Sequence, residues 1–412
     1  MINFITNFFK QSGIWVASSF FVSKISAFLL TIFMARILSQ SDFGWVMYGL
    51  NYLGFFIPFI GLGSSHGTLR FAAIAQDKLE KEKVIQYSFS YGLLLNFLVN
   101  LLMLVLAFVI FGKGNQLLIV SVFSVRLLGF FLLDQAKAEM RGRHNNKKFG
   151  QLDLIFNLIS LLSAVLFSYF FGVNGYIFSL CLSPFVVLLF HRFKFSFSKK
   201  IFADFTQKEF WRFSISMALT NQISELIFLL DVFFIGIFLN NTAVAQYRIY
   251  SVIPFNLFFL SALFFQTAYP KLCENHQNNK FQLDFLYNFW KLMLPISILI
   301  LVFGFSFSEF ILKFFGGDYY KNTVVFRILL VAAVGVLFLR TPFGYLLSSK
   351  GKSNYNLIAS SISVISLVVF IKPVILNFGL EGVAWLSLCN LFLIGIFQLI
   401  SYFYIVYGDS KT

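Results

Sequence analysis

Residues 154–190 read LIFNLISLLSAVLFSYFFGVNGYIFSLCLSPFVVLLF. The stretch contains no Asp, Glu, Lys or Arg, and a turn cluster, FGVNG, interrupts it at residues 171–175. Crossing ~30 Å of hydrocarbon at 1.5 Å per residue takes about 20 residues of helix. The stretch therefore reads as two membrane spans back to back with a tight turn between them. Runs of the same kind fill nearly the whole chain, beginning near Ile14, Phe43, Ile85, Gln116, Gly150, Val173, Phe210, Ala243, Phe289, Thr323, Tyr355 and Leu380. Apolar residues make up 58% of the 412 and charged residues only 12%, with a mean hydropathy of +0.81. A soluble domain carries roughly a quarter charged residues. The fold class is all-α integral membrane, with about twelve transmembrane helices.

The turn recurs. FGVNG at 171–175 has a counterpart in FGLEG at 378–382, 207 residues later. GRHN at 142–145 matches GKSN at 351–354, an offset of 209, and LSQSDFG at 38–44 sits opposite LNNTAVA at 239–245, an offset of 201. Three junctions recurring in order imply a duplication of six spans. Six is even, so both halves enter the bilayer from the same side, which predicts two six-helix bundles in a parallel repeat with the transport path between them. The expected boundaries are 1–192 for the first bundle, 193–208 for a basic cytoplasmic linker, and 209–412 for the second. The linker sequence FKFSFSKKIF predicts an amphipathic segment at the headgroups.

The net charge of +15 reflects topology rather than nucleic-acid binding. Numbering the inter-span segments alternately places 22 of the 32 Lys and Arg on the side of the N-terminus and 5 on the other. That asymmetry predicts cytoplasmic N- and C-termini, with some attraction for anionic lipids. No cleavable signal peptide is expected. Cys181, Cys273 and Cys389 lack paired spacing, and the dispersed His66, His144, His191 and His276 read as solvated residues near the wet face. No metal, cofactor or catalytic residue is therefore expected.

Ionisable groups within spans cost ~2.5–3.5 kcal/mol on insertion scales and face polar cavities or each other. Lys24, Arg126 and Arg340 are such groups, and they are the candidate contacts for an anionic substrate. On the seventh span, Asp231, Ser224, Asn221, Ser214 and Glu225 fall in one stripe at helical spacing. Asn221 and Ser224 are read as substrate-binding, and Glu225 and Asp231 as proton or ion sites. The 201 offset places Lys24 opposite Glu225, so the expectation is an ion pair that a substrate anion displaces. Asp134 has Lys137 at i+3. Pro58, Pro254, Pro295 and Pro342 are candidate bend points.

MARILSQSDFG at 34–44, DVFFIGIFL at 231–239 and FFGGDY at 314–319 resemble the corresponding junctions of the O-antigen (Wzx-type) polysaccharide-unit flippases. That family belongs to the multidrug/oligosaccharidyl-lipid/polysaccharide exporter superfamily. The resemblance implies movement of undecaprenyl-diphosphate-linked oligosaccharide across the bacterial inner membrane by alternating access, for O-antigen, other lipopolysaccharide or capsule. Membrane lipids, a polysaccharide polymerase and a chain-length regulator are the partners it implies, and no nucleic acid. Asp231 matches the family's seventh-span acid, though Val232 replaces its usual basic neighbour, and Ala245 replaces the glycine before Tyr247. Two other readings fit the residues less well. A cation-coupled multidrug antiporter of the same superfamily would want a more acidic interior. A membrane enzyme of glycan assembly would want a larger external loop than the ten or so residues near 313–322, and some catalytic motif.

Overall fold

The computed structural model describes residues 14–75, 77–197 and 206–408. In chain order the helices are α1 (Ile14–Ile37), α2 (Gln40–Gly54), a 3-10 segment (Ile57–Gly63), α3 (Ser64–Ile74), α4 (Lys78–Phe111), α5 (Asn115–Gly142), α6 (Asn146–Leu182) and the short α7 (Val187–Phe190). They continue with α8 (Gln207–Phe238), α9 (Asn241–Glu274), α10 (Asn279–Ser306), α11 (Ser308–Lys313), α12 (Val324–Gly335), a π turn (Val336–Arg340), α13 (Thr341–Ser349) and α14 (Asn354–Gly408). Seven helices among the described residues are long and apolar enough to cross a membrane.

Two of these seven are hairpins. Gly172 (φ 58°, ψ −137°) interrupts α6, and Gly379 (φ 55°, ψ −141°) interrupts α14. Both lie in a backbone region open to glycine and closed to residues with a Cβ. The hydroxyls of Ser163 and Ser179 meet at 2.7 Å, although 16 positions along a straight helix would separate them by about 24 Å. Ser363 Oγ likewise donates to the Asn390 carbonyl at 3.4 Å. The two FG-x-x-G motifs are therefore the reversals that the sequence predicts, and each merged helix supplies two spans.

The repeat is written in the backbone as well. Asn145 N–H donates to the Met140 carbonyl and Lys352 N–H to the Leu347 carbonyl, the six-residue closure of a helix C-terminus. The left-handed positions inside these closures are His144 and Gly351, 207 apart like Gly172 and Gly379. GRHN and GKSN are thus equivalent turns, shifted by two from their letter-by-letter match. At the 201 offset, Ser39 caps the Asp42 N–H and Asn240 caps the Ala243 N–H. These caps start α2 and α9 at equivalent places.

The chain divides into two compact units, Met1–Gln222 and Ile223–Thr412. The division falls inside α8, which separates into Gln207–Ile223 and Glu225–Phe238, and not in the 193–208 linker. A GxxxG pattern explains why. Gly63 and Gly67 bracket the start of α3, and a Cβ at Gly63 would collide with the Ser214 carbonyl oxygen, while one at Gly67 would lie 2.5 Å from Phe210 Cζ. Small residues at this spacing let membrane helices approach closely, so the first half of α8 packs on α3 as part of the N-terminal unit. Of the linker, residues 193–197 form no helix or strand. Phe193 stacks on Phe89 at 4.7 Å and Ser196 N–H donates to Ser90 Oγ at 2.8 Å. Residues 198–205, with Lys199 and Lys200, lie outside the described residues.

α4 shows how the solvent dictates the pattern. Its buried face carries Ser88, Ser90, Gly92, Asn96 and Asn100, while Leu94, Phe97, Leu98, Leu101 and Val105 are exposed. Hydrocarbon is as apolar as leucine, so the polar residues turn inward to find partners.

Candidate functional site

Among the described acidic and basic residues of the C-terminal unit the most buried is Asp231, 1% exposed on α8. Its Oδ2 accepts hydrogen bonds from Tyr247 Oη of α9 at 2.9 Å and from Ser387 Oγ of α14 at 2.5 Å. The two hydroxyls are 3.0 Å apart, so three helices converge on one carboxylate oxygen. Asp231 Oδ1 has no hydrogen-bond partner among the described residues. A buried carboxylate needs a compensating charge or donor, and Oδ1 therefore offers a place for a proton or a cation.

Arg340 ends the π turn Val336–Arg340, two residues ahead of Pro342. Proline has no N–H to give the carbonyl four residues earlier, and here the Phe338 carbonyl accepts from Trp290 Nε1 instead, at 3.1 Å. Single π turns inside helices are frequent at functional sites. The Arg340 guanidinium stands 5.3 Å from the centre of the Phe228 ring, and Glu225 is the carboxylate whose field reaches it. Glu225, itself exposed, thus has a cation within its own unit.

In the N-terminal unit, Asn221 Nδ2 lies 3.1 Å from His66 Nε2. His66, read from sequence as a solvated residue, is half-buried on the first turn of α3 and bonded to a candidate site residue. Its signal was the helix break before it, which histidine spacing does not reveal. Lys24 is exposed on α1. The Ser224 side chain lies outside the described residues. The seventh-span stripe does not stay on one face: Ser214 and Asp231 are buried, each within a different unit, because the helix divides between them.

Arg126 is 9% exposed. Its Nη1 donates to the Leu180 carbonyl and its guanidinium lies over Phe130 at 4.5 Å, tying α5 to α6. Removing it takes away the charged donor to that carbonyl and leaves Ser183 Oγ, at 3.5 Å; a hydrogen bond from a charged group is worth about 1.5–3 kcal/mol. Arg126→Leu is therefore expected to lower the thermal unfolding temperature of the detergent-purified protein. Lys137 pairs with Asp153 of α6 at 2.5 Å rather than with its near neighbour Asp134. Among the described residues no group of three or more His, Cys, Asp or Glu is placed to hold a metal ion.

The chain's architecture is similar to that of several solved transporters. The lipid II flippase MurJ in its inward closed conformation is 16% identical, with a TM-score of 0.74, covering 94% of this chain and 87% of that one. An inward-facing multidrug resistance MATE family transporter of the MOP superfamily is 15% identical, with a TM-score of 0.67, covering 93% and 96%. A MOP superfamily transporter from Pyrococcus furiosus is 16% identical, with a TM-score of 0.64, covering 98% and 96%. At these identities the similarity establishes the fold. No curated protein matches the sequence. The family described as polysaccharide biosynthesis protein matches residues 9–276, about two-thirds of the chain and all of the N-terminal unit's described helices. The chain belongs to that polysaccharide biosynthesis protein family, and its fold is the one seen in MOP superfamily transporters.

Proposed function

We propose that this protein moves undecaprenyl-diphosphate-linked oligosaccharide units from the cytoplasmic to the periplasmic leaflet of a bacterial inner membrane, by alternating access and with both termini cytoplasmic. The observation that carries the reading is the family match over residues 9–276. Its fold, shared with a lipid flippase, supports it. The protein supplies passage rather than chemistry and is not an enzyme. The glycan is destined for O-antigen or capsule, with a polymerase and a chain-length regulator acting next.

The residues take roles that suit such a cargo. A diphosphate carries about two negative charges, and cations out of water attract it far more strongly than in water. Lys24 and Arg340 are assigned to it. Asn221 and Ser224 offer amide and hydroxyl partners for sugar hydroxyls, with His66 added beside Asn221. Glu225 holds Arg340 in the absence of substrate, and Asp231 carries the coupling proton or cation. We assign Arg126 to the scaffold, since its guanidinium is already engaged with the Leu180 carbonyl and Phe130.

The deciding measurement is mass spectrometry of lipid-linked glycans in a strain lacking the protein, with leaflet access probed by a glycosidase added to spheroplasts. Intact lipid-linked oligosaccharide protected in the inner leaflet, with surface glycan lost, is the expected result. Normal glycan together with sensitivity to cationic dyes would replace this reading with a drug antiporter. Complementing that strain with Lys24→Ala is expected to restore no surface glycan, and with Lys24→Arg to restore part of it. Full restoration by the alanine variant would remove Lys24 from the site.

A further inference from the structure

The seam between α3 and the first half of α8 also fixes a charge. Arg70 lies within α3, one turn before that helix ends, and inside the span Gln40–Ala73. Gly63 and Gly67 let α8 approach closely. That approach brings the Phe213 ring of α8 under the Arg70 guanidinium, whose Cζ is 4.4 Å from the ring centre, with the Phe71 ring at 5.7 Å. Two rings therefore hold the guanidinium in place.

A ring engages the face of a guanidinium and uses none of its five N–H donors. Three other arginines use those donors within the protein. Arg126 donates to the Leu180 carbonyl, Arg143 to Glu139 and Glu82, and Arg327 to Ser308. Arg70 has no hydrogen bond and no ion pair among the described residues, and it is exposed. A charge within a span is costly, and one held there with its donors open marks a place for an anion. The planar fork of arginine matches the oxygens of phosphate.

The neighbours of Arg70 say what that phosphate is attached to. His66 precedes it by four positions on the same face of α3, and His66 Nε2 lies 3.1 Å from Asn221 Nδ2. With the amide donating, Nε2 accepts and the neutral ring carries its proton on Nδ1. This pair offers uncharged donors and acceptors, which suit sugar hydroxyls. Phe213 and Asn221 are eight positions apart on α8, about 12 Å. The cation and the neutral pair are thus spread along one seam rather than gathered at one point. A phosphate joined to a sugar has the same order, with charge first and hydroxyls next.

We propose that Arg70 binds the phosphates of a lipid-borne diphosphate, with His66 and Asn221 receiving the first sugar attached to it. This assignment rests on the proposed function and adds Arg70 to the cations already assigned to the cargo. A phospholipid headgroup also carries phosphate, and the neutral pair beside Arg70 favours the glycosylated diphosphate.

The test is binding of tritiated farnesyl diphosphate to the detergent-purified full-length protein, read by scintillation proximity. Arg70→Gln is expected to weaken binding at least tenfold, since a charged hydrogen bond is lost. Arg70→Lys keeps the charge without the planar fork and is expected to recover part of it. Arg141→Gln removes another exposed cation that rests on a ring, Phe149 at 5.3 Å, and is expected to bind as the wild type does. Phosphatidylglycerol added to the micelles is expected not to displace the probe. Equal binding by Arg70→Gln and the wild type, or equal losses in Arg70→Gln and Arg141→Gln, would overturn this assignment alone. Displacement by phosphatidylglycerol would overturn it in favour of a headgroup contact. No binding by the wild type would overturn the flippase reading with it.

Discussion

Asp231→Asn is expected to yield a folded, membrane-inserted protein that assembles surface polysaccharide roughly ten- to hundredfold more slowly. The side chains have the same shape, and an amide oxygen still accepts from Tyr247 or Ser387. What disappears is the negative charge, and a hydrogen bond or ion contact to a charged group is worth about 1.5–3 kcal/mol. If Asp231 were only a structural anchor for α8, α9 and α14, the isosteric amide would leave export near normal. Tyr247→Phe and Ser387→Ala each remove one of the donors to Oδ2 and keep the charge, so both are expected to fall between the wild type and Asp231→Asn. Complementation of surface glycan, normalised to protein level in the membrane, orders the four proteins. Wild-type export by Asp231→Asn would remove the coupling role.

Gly67→Leu is expected to be the most destabilising single change in the N-terminal unit, at about 3 kcal/mol. A Cβ at this position would lie 2.5 Å from Phe210 Cζ and 2.6 Å from Phe210 Cε2, well inside van der Waals contact. Phe210 is itself fully buried, with Tyr87, Phe71 and Trp211 around it, so it has nowhere to go. The first half of α8 would be pushed off α3. Thermal unfolding of the purified protein is the readout, with Gly114→Ala as the control. A Cβ at Gly114 meets only the Phe111 carbonyl, at 3.3 Å, and little change is expected there. Equal unfolding temperatures for the two variants would mean that the Gly63–Gly67 face is not a packing seam.

The spans were legible because hydrocarbon selects on length and apolarity, which a single chain displays directly. The Gly172 and Gly379 reversals were legible because only glycine fits their backbone, so the letter survives in both copies of the repeat. Asp231 was visible as an acid within a span. Its partner Ser387 was not, because 156 residues separate them and serines are common in membrane helices. The division inside α8 was also hidden. The basic, Phe-rich linker looks like a boundary, whereas the real one is set by two small residues far upstream in the chain. Arg126 and Arg340 carry the same letter within a span, yet one clamps a carbonyl of its own unit and the other ends a π turn in the same unit as an exposed Glu. Periodicity reports which face a residue takes, and tertiary partners decide what the charge does.

The Gly63–Gly67 seam also sets an order of assembly. Gly67 and Phe210 lie 143 positions apart in sequence, so the helix that covers the seam is made long after the seam itself. At translation rates of 5–20 residues per second, roughly 7–30 s pass between them. The α6 hairpin, whose two arms meet at Ser163 and Ser179 only 16 positions apart, is complete within that interval. Until the first half of α8 has been made, the Gly63–Gly67 face of a half-built transporter waits for the helix that covers it.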